Sequence, residues 1–309
     1  MKKVFIDGSA GTTGLRIHER LAERKDIEII TLADEKRKDE KYRKEAINES
    51  DISFLCLPDD AAREAVSFTE NDDTVIIDTS TAHRTLSDWA YGFPELSSAH
   101  LEKIRNSKRI AVPGCHASGF IALIYPLIEK GVLAKDTLLS CFSLTGYSGG
   151  GKKMIGEYDS DDRDALLDAP RIYGLTQQHK HLKEMKAISG IINEPVFIPV
   201  VSDFYSGMAV SIPLFASQLS VSADEIKAIY KEKYNWGMVS FSENFDKNGF
   251  LSAGTYSMKD TMTVGVFGNN DRFTLEAVYD NLGKGASGAA IECLNIVLGE
   301  EPSNGLVTE

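Results

Sequence analysis

The sequence predicts an α/β fold, in which a doubly wound parallel sheet is combined with a second, mostly antiparallel domain. In the first third, short apolar runs alternate with helical patterns, which is typical of a parallel sheet covered by helices. Beyond residue 138 the apolar runs are longer and partly alternate with polar residues, as in an antiparallel sheet. A chain of 309 residues suits two domains.

The individual elements follow from these patterns. Strands are predicted at residues 4–6, 27–30, 52–57, 74–78, 109–112, 138–144, 196–199, 207–214 and 262–267. Helices are predicted at residues 15–22, 59–68, 115–130, 179–188, 223–234 and 286–298. Residues 34–44 form a charged stretch for which no element is predicted. We expect the last helix to pack back onto the first domain, so the two domains are discontinuous in sequence.

Composition excludes several classes of protein. The net charge of −12, with no basic stripe, argues against nucleic-acid binding. The four cysteines lie far apart without metal-ligand spacing, and a disulfide framework is not expected in a chain this long. The longest apolar run is too short to cross a bilayer, and no signal-peptide pattern opens the sequence, so we expect a cytoplasmic protein without a membrane partner.

The Pro113-Gly114-Cys115 corner is the most informative motif. A short buried strand precedes it, and apolar residues at helical spacing follow until Gly131. Cys115 is therefore predicted in the first turn of a helix, where the helix dipole and unpaired N–H groups stabilise a thiolate nucleophile. Taken alone, the motif is equally typical of a buried structural cysteine.

A glycine-rich loop follows the first strand directly. Gly8, Gly11 and Gly14 would let the backbone approach a pyrophosphate, which then rests on the N–H groups of the next helix. The loop side chains Ser9, Thr12 and Thr13 add hydroxyl donors. The GxxGxxG spacing differs from GxGxxG, so a plain glycine-rich turn is the alternative.

The cofactor that this loop would bind is left open by the residues themselves. Asp34 lies about 20 residues beyond Gly14, where an acid holds the ribose 2′-hydroxyl of NAD. Lys36, Arg37 and Lys38 follow directly and suit the 2′-phosphate of NADP. A dinucleotide loop together with a helix-terminal thiol indicates chemistry in which a cysteine holds an acyl group as a thioester.

Three further segments carry candidate binding groups. Ser80 and Arg84 follow the fourth strand, where Arg84 could clamp a carboxylate or phosphate or simply be a solvated loop arginine. The run from Gly146 to Lys153, which includes Ser148 and Gly149, could wrap a phosphate, although alone it is more typical of a flexible hairpin tip. His179 and His181 are expected at a helix start, with a general acid favoured over a metal ligand.

The remaining histidines receive less specific interpretations. His18, His83 and His100 are expected at the surface or at helix caps.

In combination, these motifs resemble the N-acetyl-gamma-glutamyl-phosphate reductase family, in its shorter, type 2 form. The resemblance spans nearly the whole chain in the family's order. The most specific parts are the Pro-Gly-Cys corner, the His-x-His-x-x-Glu motif and the Asp-Asn-Leu-x-Lys-Gly motif. All the motifs that carry the resemblance lie at residues 8–14, 80–84, 113–115, 148–151, 179–184 and 280–288.

The resemblance implies an NADPH-dependent reduction of N-acetyl-gamma-glutamyl phosphate in arginine biosynthesis. It implies a Rossmann-type NADP-binding domain (residues 1–114 plus 285–309) and an α+β catalytic and oligomerisation domain (residues 115–284), as in semialdehyde dehydrogenases. A homo-oligomer, dimer or tetramer, is implied as well. No metal is expected.

The resemblance also implies the roles of individual residues. Cys115 would be the nucleophile and His179 the general acid. The substrate site would be lined by Arg84, Ser148, Gly149, Tyr173, His181 and Glu184. The cofactor would contact Gly8, Ser9, Gly11, Thr12, Thr13, Gly14, Arg37, Ser80 and Asn281.

Two departures from the family's pattern leave the substrate preference open. His116 and Lys183 stand where the family often carries Tyr or Asn, and Pro, respectively. The alternatives within the class are reductases of aspartyl phosphate or of an N-acylated aminoadipyl phosphate. A cysteine hydrolase or acyltransferase, and a non-catalytic dinucleotide-binding sensor, are alternatives of other classes.

Overall fold

The computed structural model describes residues 1–309, which divide into two compact units. Unit 1 comprises Met1–Gly114 and Ala286–Leu306, and unit 2 comprises Cys115–Gly285 and Val307–Glu309. Unit 1 contains a six-stranded sheet and unit 2 a seven-stranded sheet. None of the helices combines the length and apolar character that a membrane crossing requires.

The strands and helices are numbered in chain order. The strands are β1 Lys2–Asp7, β2 Ile27–Ile30, β3 Ile52–Leu55, β4 Val75–Asp78, β5 Ala90–Tyr91, β6 Arg109–Ala111, β7 Ser140–Gly146, β8 Arg171–Ile172, β9 Val196–Ser202, β10 Met208–Phe215, β11 Val239–Phe241, β12 Met262–Gly268 and β13 Arg272–Tyr279. The α-helices are α1 Thr12–Ala22, α2 Glu40–Glu49, α3 Asp59–Ser67, α4 Ser98–Asn106, α5 Cys115–Glu129, α6 Gly151–Tyr158, α7 His181–Ser189, α8 Ala223–Lys233 and α9 Gly288–Leu298. Short 3₁₀ helices span Pro94–Leu96, Tyr147–Gly150, Ala165–Asp168 and Ala216–Gln218.

The sheet of unit 1 is parallel throughout, in the order β2-β1-β3-β4-β6-β5. Alternate residues of each strand enter two different cores. Val4 and Ile6 pack on one face, whereas Phe5 between them packs on the other. A strand buried on both faces in this way reads as a continuous apolar run, which is the pattern that the sequence shows. The doubly wound parallel sheet is confirmed.

The last helix completes one of these two cores. Ala289, Ile291 and Leu294 of α9 are buried together with Val4 of β1 and Ile17 of α1. The helix carries small or apolar residues around much of its circumference, because it packs against α1, α4 and β4. The core of unit 1 is therefore built from both ends of the chain.

Helix α2 begins within the charged stretch and continues to Glu49, and the sequence analysis predicts no element over these residues. The Asp39 side chain accepts a hydrogen bond from the N–H of Lys41 and caps its first turn. Only Arg43, Ala46 and Ile47 are buried, so the apolar stripe is too sparse to show in the sequence.

The sheet of unit 2 is mixed, in the order β11-β12-β13-β10-β7-β9-β8. Four strand pairs are antiparallel, and the β7–β9 and β11–β12 pairs are parallel. The mostly antiparallel sheet is thus confirmed. Strand β13, for which no prediction was made, lies between β10 and β12.

Helix α5 lies against the sheet of unit 2 and contacts β10, β13, α7 and α8. Its small residue Gly119 is required for this close approach. A Cβ at this position would lie 2.7 Å from the hydroxyl oxygen of Tyr279 and 2.8 Å from a methyl group of Val210. The residues from 147 to 151 are not a hairpin tip, because they form a 3₁₀ turn that continues into α6.

We predict that Gly119→Ala destabilises the protein by about 1–3 kcal/mol, the usual cost of overpacking a tight interior. Gly156→Ala is the matched control. Gly156 lies in α6, and a Cβ there meets nothing within 4 Å. The control should leave stability unchanged or raise it by up to about 1 kcal/mol, because alanine favours helices. Urea unfolding of both variants tests this, and equal midpoints would contradict it.

Candidate active site

Cys115 is the first residue of α5, as the sequence predicts. The hydroxyl of Tyr279, on β13, donates a hydrogen bond of 2.5 Å to the carbonyl of Cys115. The same hydroxyl oxygen accepts the N–H of Gly119 at 3.0 Å. Tyr279 therefore fixes the first turn of the helix, and with it the position of the thiol. At a helix N-terminus the aligned peptide dipoles favour a thiolate.

The other three cysteines lie in surroundings that oppose ionisation of the thiol or bury the sulfur away from any substrate. Burial raises the pKa of Cys56 to about 12, and that of Cys141 rises further for the same reason. Cys293 is fully buried, with its sulfur 3.6 Å from the carbonyl oxygen of Gly92. No cysteine forms a disulfide. Among the four thiols, Cys115 is therefore the best placed for nucleophilic chemistry.

Three imidazoles and a phenol form a cluster in unit 2. The ring of His179 lies 4.7 Å from that of His181 and 5.5 Å from that of His116, measured between centroids. His116 Nε2 lies 2.6 Å from the hydroxyl of Tyr173. Burial raises the pKa of Tyr173, and a negative charge on Cys115 is the second cause. His116 directly follows Cys115 on α5, so the cluster adjoins the nucleophile along the chain.

Burial keeps two of these histidines neutral. It lowers the pKa of His116 to about 3, with a smaller contribution from His179. Burial also lowers the pKa of His179 to about 4, with a smaller contribution from Lys180. His179 precedes α7, which begins at His181. At neutral pH, His179 is therefore uncharged, so it must accept a proton before it can donate one.

Ser148, Gly149 and Asn281 form a second group in unit 2. The amide Nδ2 of Asn281 donates to Ser148 Oγ at 3.0 Å, and its Oδ1 accepts the N–H of Gly207 at 2.9 Å. A Cβ at Gly149 would lie 3.4 Å from the Asn281 amide. At Gly285 it would lie 3.1 Å from Cys115 Cβ. The Asp-Asn-Leu-x-Lys-Gly segment thus runs from the Ser148 turn to the backbone beside the thiol.

Glu184 lies on α7, one turn beyond His181, and both side chains are buried. Burial is the main cause that raises the pKa of Tyr279, and the charges of Cys115 and Glu184 make smaller contributions. Unit 2 holds the predicted residues Cys115 and Glu184, and in it the rings of Tyr173, His179 and His181 surround that of His116.

In unit 1 the glycine loop borders a cavity of about 500 Å³ at the carboxyl ends of β1, β2 and β3. This is where the winding of the sheet reverses, the usual ligand site of such sheets. Gly8, with φ of +87°, could not carry a side chain, because its Cβ would lie 2.3 Å from the carbonyl oxygen of Cys56. Ser9 and Gly11 also line the cavity, and Thr12, Thr13 and Gly14 form the first residues of α1.

Cationic side chains line the same cavity. Arg37 and Lys38 contribute to it together with Arg43. Arg43 is buried, and its Nε lies 3.0 Å from a carboxylate oxygen of Asp7. Asp34, the acid expected to favour NAD, is largely exposed and pairs with Arg37 at 3.3 Å.

Ser80 and Arg84 also lie in unit 1. Ser80 donates its N–H and its hydroxyl to the carboxylate of Asp78, at 2.9 Å and 2.7 Å. Arg84 is buried, and it donates through Nε to the Val112 carbonyl and through Nη2 to the Thr79 carbonyl, each at 2.8 Å. These bonds join the segments that follow β4 and β6, so Arg84 is not a solvated loop arginine.

The surface or capping role expected of His83 is wrong. His83 is buried, its Nδ1 lies 2.6 Å from Asp78 Oδ2, and its ring stacks on Trp89 with centroids 4.1 Å apart. His100 does take part in a cap, since its Nδ1 lies 2.7 Å from Ser97 Oγ at the start of α4. The sequence carries no signal that separates these two histidines.

The sequence does not predict a role for His116, Ser143 or Tyr279, which contact one another, Tyr173 or Cys115 in the structure. Only the position of His116 next to the nucleophile indicates that it belongs to the site. No group of three or more His, Cys, Asp or Glu side chains has a metal-binding arrangement.

Comparison with known proteins gives matches over nearly the whole chain. Residues 3–104 match the family model described as "Semialdehyde dehydrogenase, NAD binding domain", and residues 115–281 match "Semialdehyde dehydrogenase, dimerisation domain". An N-acetyl-gamma-glutamyl-phosphate reductase from Trichormus variabilis is 45% identical, covering 98% of this chain and 99% of its own. One from a Chelativorans species is 43% identical, covering 96% and 98%.

Solved structures share the fold at low sequence identity. An aspartate semialdehyde dehydrogenase from Francisella tularensis has a TM-score of 0.72 at 17% identity, covering 96% of this chain and all of its own. The Vibrio cholerae aspartate semialdehyde dehydrogenase II complexed with ASA has a TM-score of 0.71 at 15% identity, covering 97% and 98%.

The lowered pKa of His116 predicts that the protein loses stability on acidification. The folded state keeps His116 neutral down to about pH 3, whereas the unfolded chain protonates it below pH 6.5. The unfolded state then binds more protons, so stability falls as the pH falls, by up to about 1.4 kcal/mol per pH unit from this residue.

Urea unfolding at pH 7 and pH 5 measures this loss. The wild type should lose more stability between the two pH values than His116→Asn, which removes the titrating group. His179→Asn should have a nearly equal effect, because the pKa of His179, at about 4, also lies below this pH range in the folded state. Equal losses in the wild type and His116→Asn would contradict the prediction.

Proposed function

We propose, since this chain belongs to the N-acetyl-gamma-glutamyl-phosphate reductase family, that it reduces N-acetyl-gamma-glutamyl phosphate to N-acetylglutamate 5-semialdehyde and phosphate in arginine biosynthesis, with NADPH as reductant. The observation that carries the proposal is the thiol of Cys115 at the start of α5, next in sequence to the neutral imidazole of His116 and in the same unit as that of His179. The full-length likeness to reductases of that name supports the substrate.

The chain's own residues would act in the following order. His179 accepts the thiol proton of Cys115, and the thiolate attacks the acyl carbon. The acyl–oxygen bond breaks, and His179 gives its proton to the leaving phosphate. NADPH, when bound, supplies the hydride that reduces the resulting thioester. The tetrahedral oxyanion then expels the Cys115 thiolate as the aldehyde forms, and the thiolate regains a proton from solvent.

Substrate binding is proposed for the following groups. Ser148 and the N–H groups of the turn at Gly149 would hold the phosphoryl group. His181, Glu184 and Tyr173 would line the remainder of the site. Arg84 would bind the α-carboxylate, because the planar guanidinium matches the geometry of a carboxylate.

NADP is the proposed cofactor, and unit 1 is the part of the chain that would hold it. The cavity at Gly8 has the narrow cradle that a pyrophosphate requires, and a Cβ at Gly14 would lie 2.5 Å from the Gly8 carbonyl oxygen and disrupt it. Arg37 and Lys38 line this cavity and would meet a 2′-phosphate. Ser80 and Asn281 would lie near the nicotinamide end.

A homo-oligomer, dimer or tetramer, is proposed through one face of the unit 2 sheet. Phe142, Val196 and Phe215 are 41%, 57% and 63% exposed. The strand register places them on the same face, opposite the face that carries Cys141 and Ser143. The match of this unit to a dimerisation domain supports a second copy of the chain as its partner.

The decisive assay runs the reaction in reverse. N-acetylglutamate 5-semialdehyde should reduce NADP only when phosphate is present, and faster than aspartate semialdehyde or an N-acylated aminoadipate semialdehyde. Turnover of a competing semialdehyde at a higher rate would reassign the substrate. Failure to bind NADPH would instead favour a hydrolase or acyltransferase, and binding without turnover a sensor.

Cys115→Ser should lower the rate of that reaction by at least about a thousandfold, the scale seen when a nucleophile is removed. Cys141→Ala is the control, because Cys141 is buried in the sheet and takes no part in the proposed steps. It should keep most of the activity. Substantial turnover by Cys115→Ser would exclude the thioester.

Arg37→Ala should reduce the preference for NADPH over NADH, measured as a ratio of kcat/KM values, by about tenfold to a hundredfold. This is the loss expected when a hydrogen bond to a charged phosphate is removed. Arg63→Ala is the control, since Arg63 pairs with Asp60 on α3 and lies outside the cavity. An unchanged ratio in Arg37→Ala would show that the arginine does not read the 2′-phosphate.

A further inference from the structure

His116 has no part in the steps proposed above, although it adjoins the nucleophile. Its side chain is 3% exposed, on the first turn of α5. Nδ1 lies 2.7 Å from Ser143 Oγ, and Nε2 lies 2.6 Å from the hydroxyl of Tyr173. The imidazole thus joins a serine on the buried face of the sheet to a phenol at the proposed substrate site.

The direction of the first of these bonds follows from the serine. Ser143 is fully buried on β7, and the structure gives its hydroxyl one partner, His116 Nδ1. Buried hydroxyl groups in native proteins use their hydrogen in a bond wherever an acceptor is available. If Nδ1 were the donor, the Ser143 hydrogen would have no acceptor. Ser143 therefore donates, and Nδ1 is the acceptor.

The direction of the second bond then follows from the imidazole. A neutral histidine with an unprotonated Nδ1 carries its hydrogen on Nε2. Neutrality agrees with the low pKa of about 3 that burial gives His116. Nε2–H consequently donates to the oxygen of Tyr173. Burial also raises the pKa of Tyr173, so the phenol keeps its own hydrogen.

We propose that His116 is a positioning residue that makes Tyr173 a hydrogen-bond donor to an anionic oxygen of the substrate held at Cys115. With its oxygen occupied by Nε2–H, the phenolic hydrogen of Tyr173 is directed away from His116. The inference rests on the proposed function for the identity of that substrate. Phe197 and His179 lie edge-on against the His116 ring, with centroids 5.3 Å and 5.5 Å away, and restrict its orientation.

The tautomer of His116 is measurable without any substrate. In protein labelled with ¹⁵N-histidine, NMR at pH 7 should show Nε2 of His116 protonated and Nδ1 unprotonated. His116→Asn identifies the signals by their loss. Ser143→Ala should remove the preference and give a mixture of tautomers. Ser97→Ala is the matched control, because it removes a similar serine partner from His100 Nδ1 and should leave the His116 signals unchanged.

Kinetics of the reverse reaction test the consequence for Tyr173. His116→Asn retains an amide near Ser143 but is too short to reach Tyr173, whereas His116→Gln can place an N–H near the former Nε2. The kcat/KM for the semialdehyde should fall about tenfold in His116→Asn and in Tyr173→Phe, the scale of one charge-assisted hydrogen bond. It should fall no further in the double variant, and His116→Gln should recover most of it.

Several results would overturn the proposal. They are a hydrogen on Nδ1 of His116 in the wild type, additive losses in the double variant, or equal losses in His116→Asn and His116→Gln. Thermal unfolding of each variant separates these results from misfolding. If the wild type turns over a different semialdehyde, only the proposed function changes. The tautomer of His116 is measured without substrate, and the comparison of the double variant with the single variants is then made with that semialdehyde.

Discussion

The hydroxyl of Tyr279 is the interaction on which the site most depends. It accepts the N–H of Gly119 and donates to the carbonyl of Cys115, so one oxygen binds two successive turns of α5 to β13. Gly119 permits this approach, because any side chain would collide with the phenol. The bonds from β13 therefore hold the first turn of α5, which carries the thiol, in a fixed position on the sheet.

Burial determines the chemistry of the histidines around that thiol. A solvated imidazole is partly cationic near neutral pH, whereas His116 and His179 are held neutral by the loss of hydration. Neutral rings can pack edge-on without mutual repulsion, and each then offers one donor and one acceptor. At neutral pH, His179 is therefore uncharged, as its role as proton acceptor in the proposed reaction requires.

Much of this organisation is readable from the sequence, because both cores impose periodicity on their strands and because a Pro-Gly corner marks the start of α5. Other features are not readable, among them the short strands β5, β8 and β11, strand β13, and helices α4 and α6. Helix α2 escaped prediction since Asp39 caps a helix with only a sparse buried stripe. The environments of His83 and His116 depend on Asp78, Ser143 and Tyr173, and these long-range partners leave no local pattern.

The position of α9 has a consequence for the order in which the chain acquires its structure during synthesis. Val4 and Ile17 leave the ribosome early, whereas Ala289 and Leu294, which share their core, emerge only after residues 115–285 of unit 2 have been synthesised. The apolar face that α9 covers must remain open for that time. Such a surface is prone to aggregation until it is covered. The core of the first unit in sequence therefore cannot be completed until most of the second unit has been made.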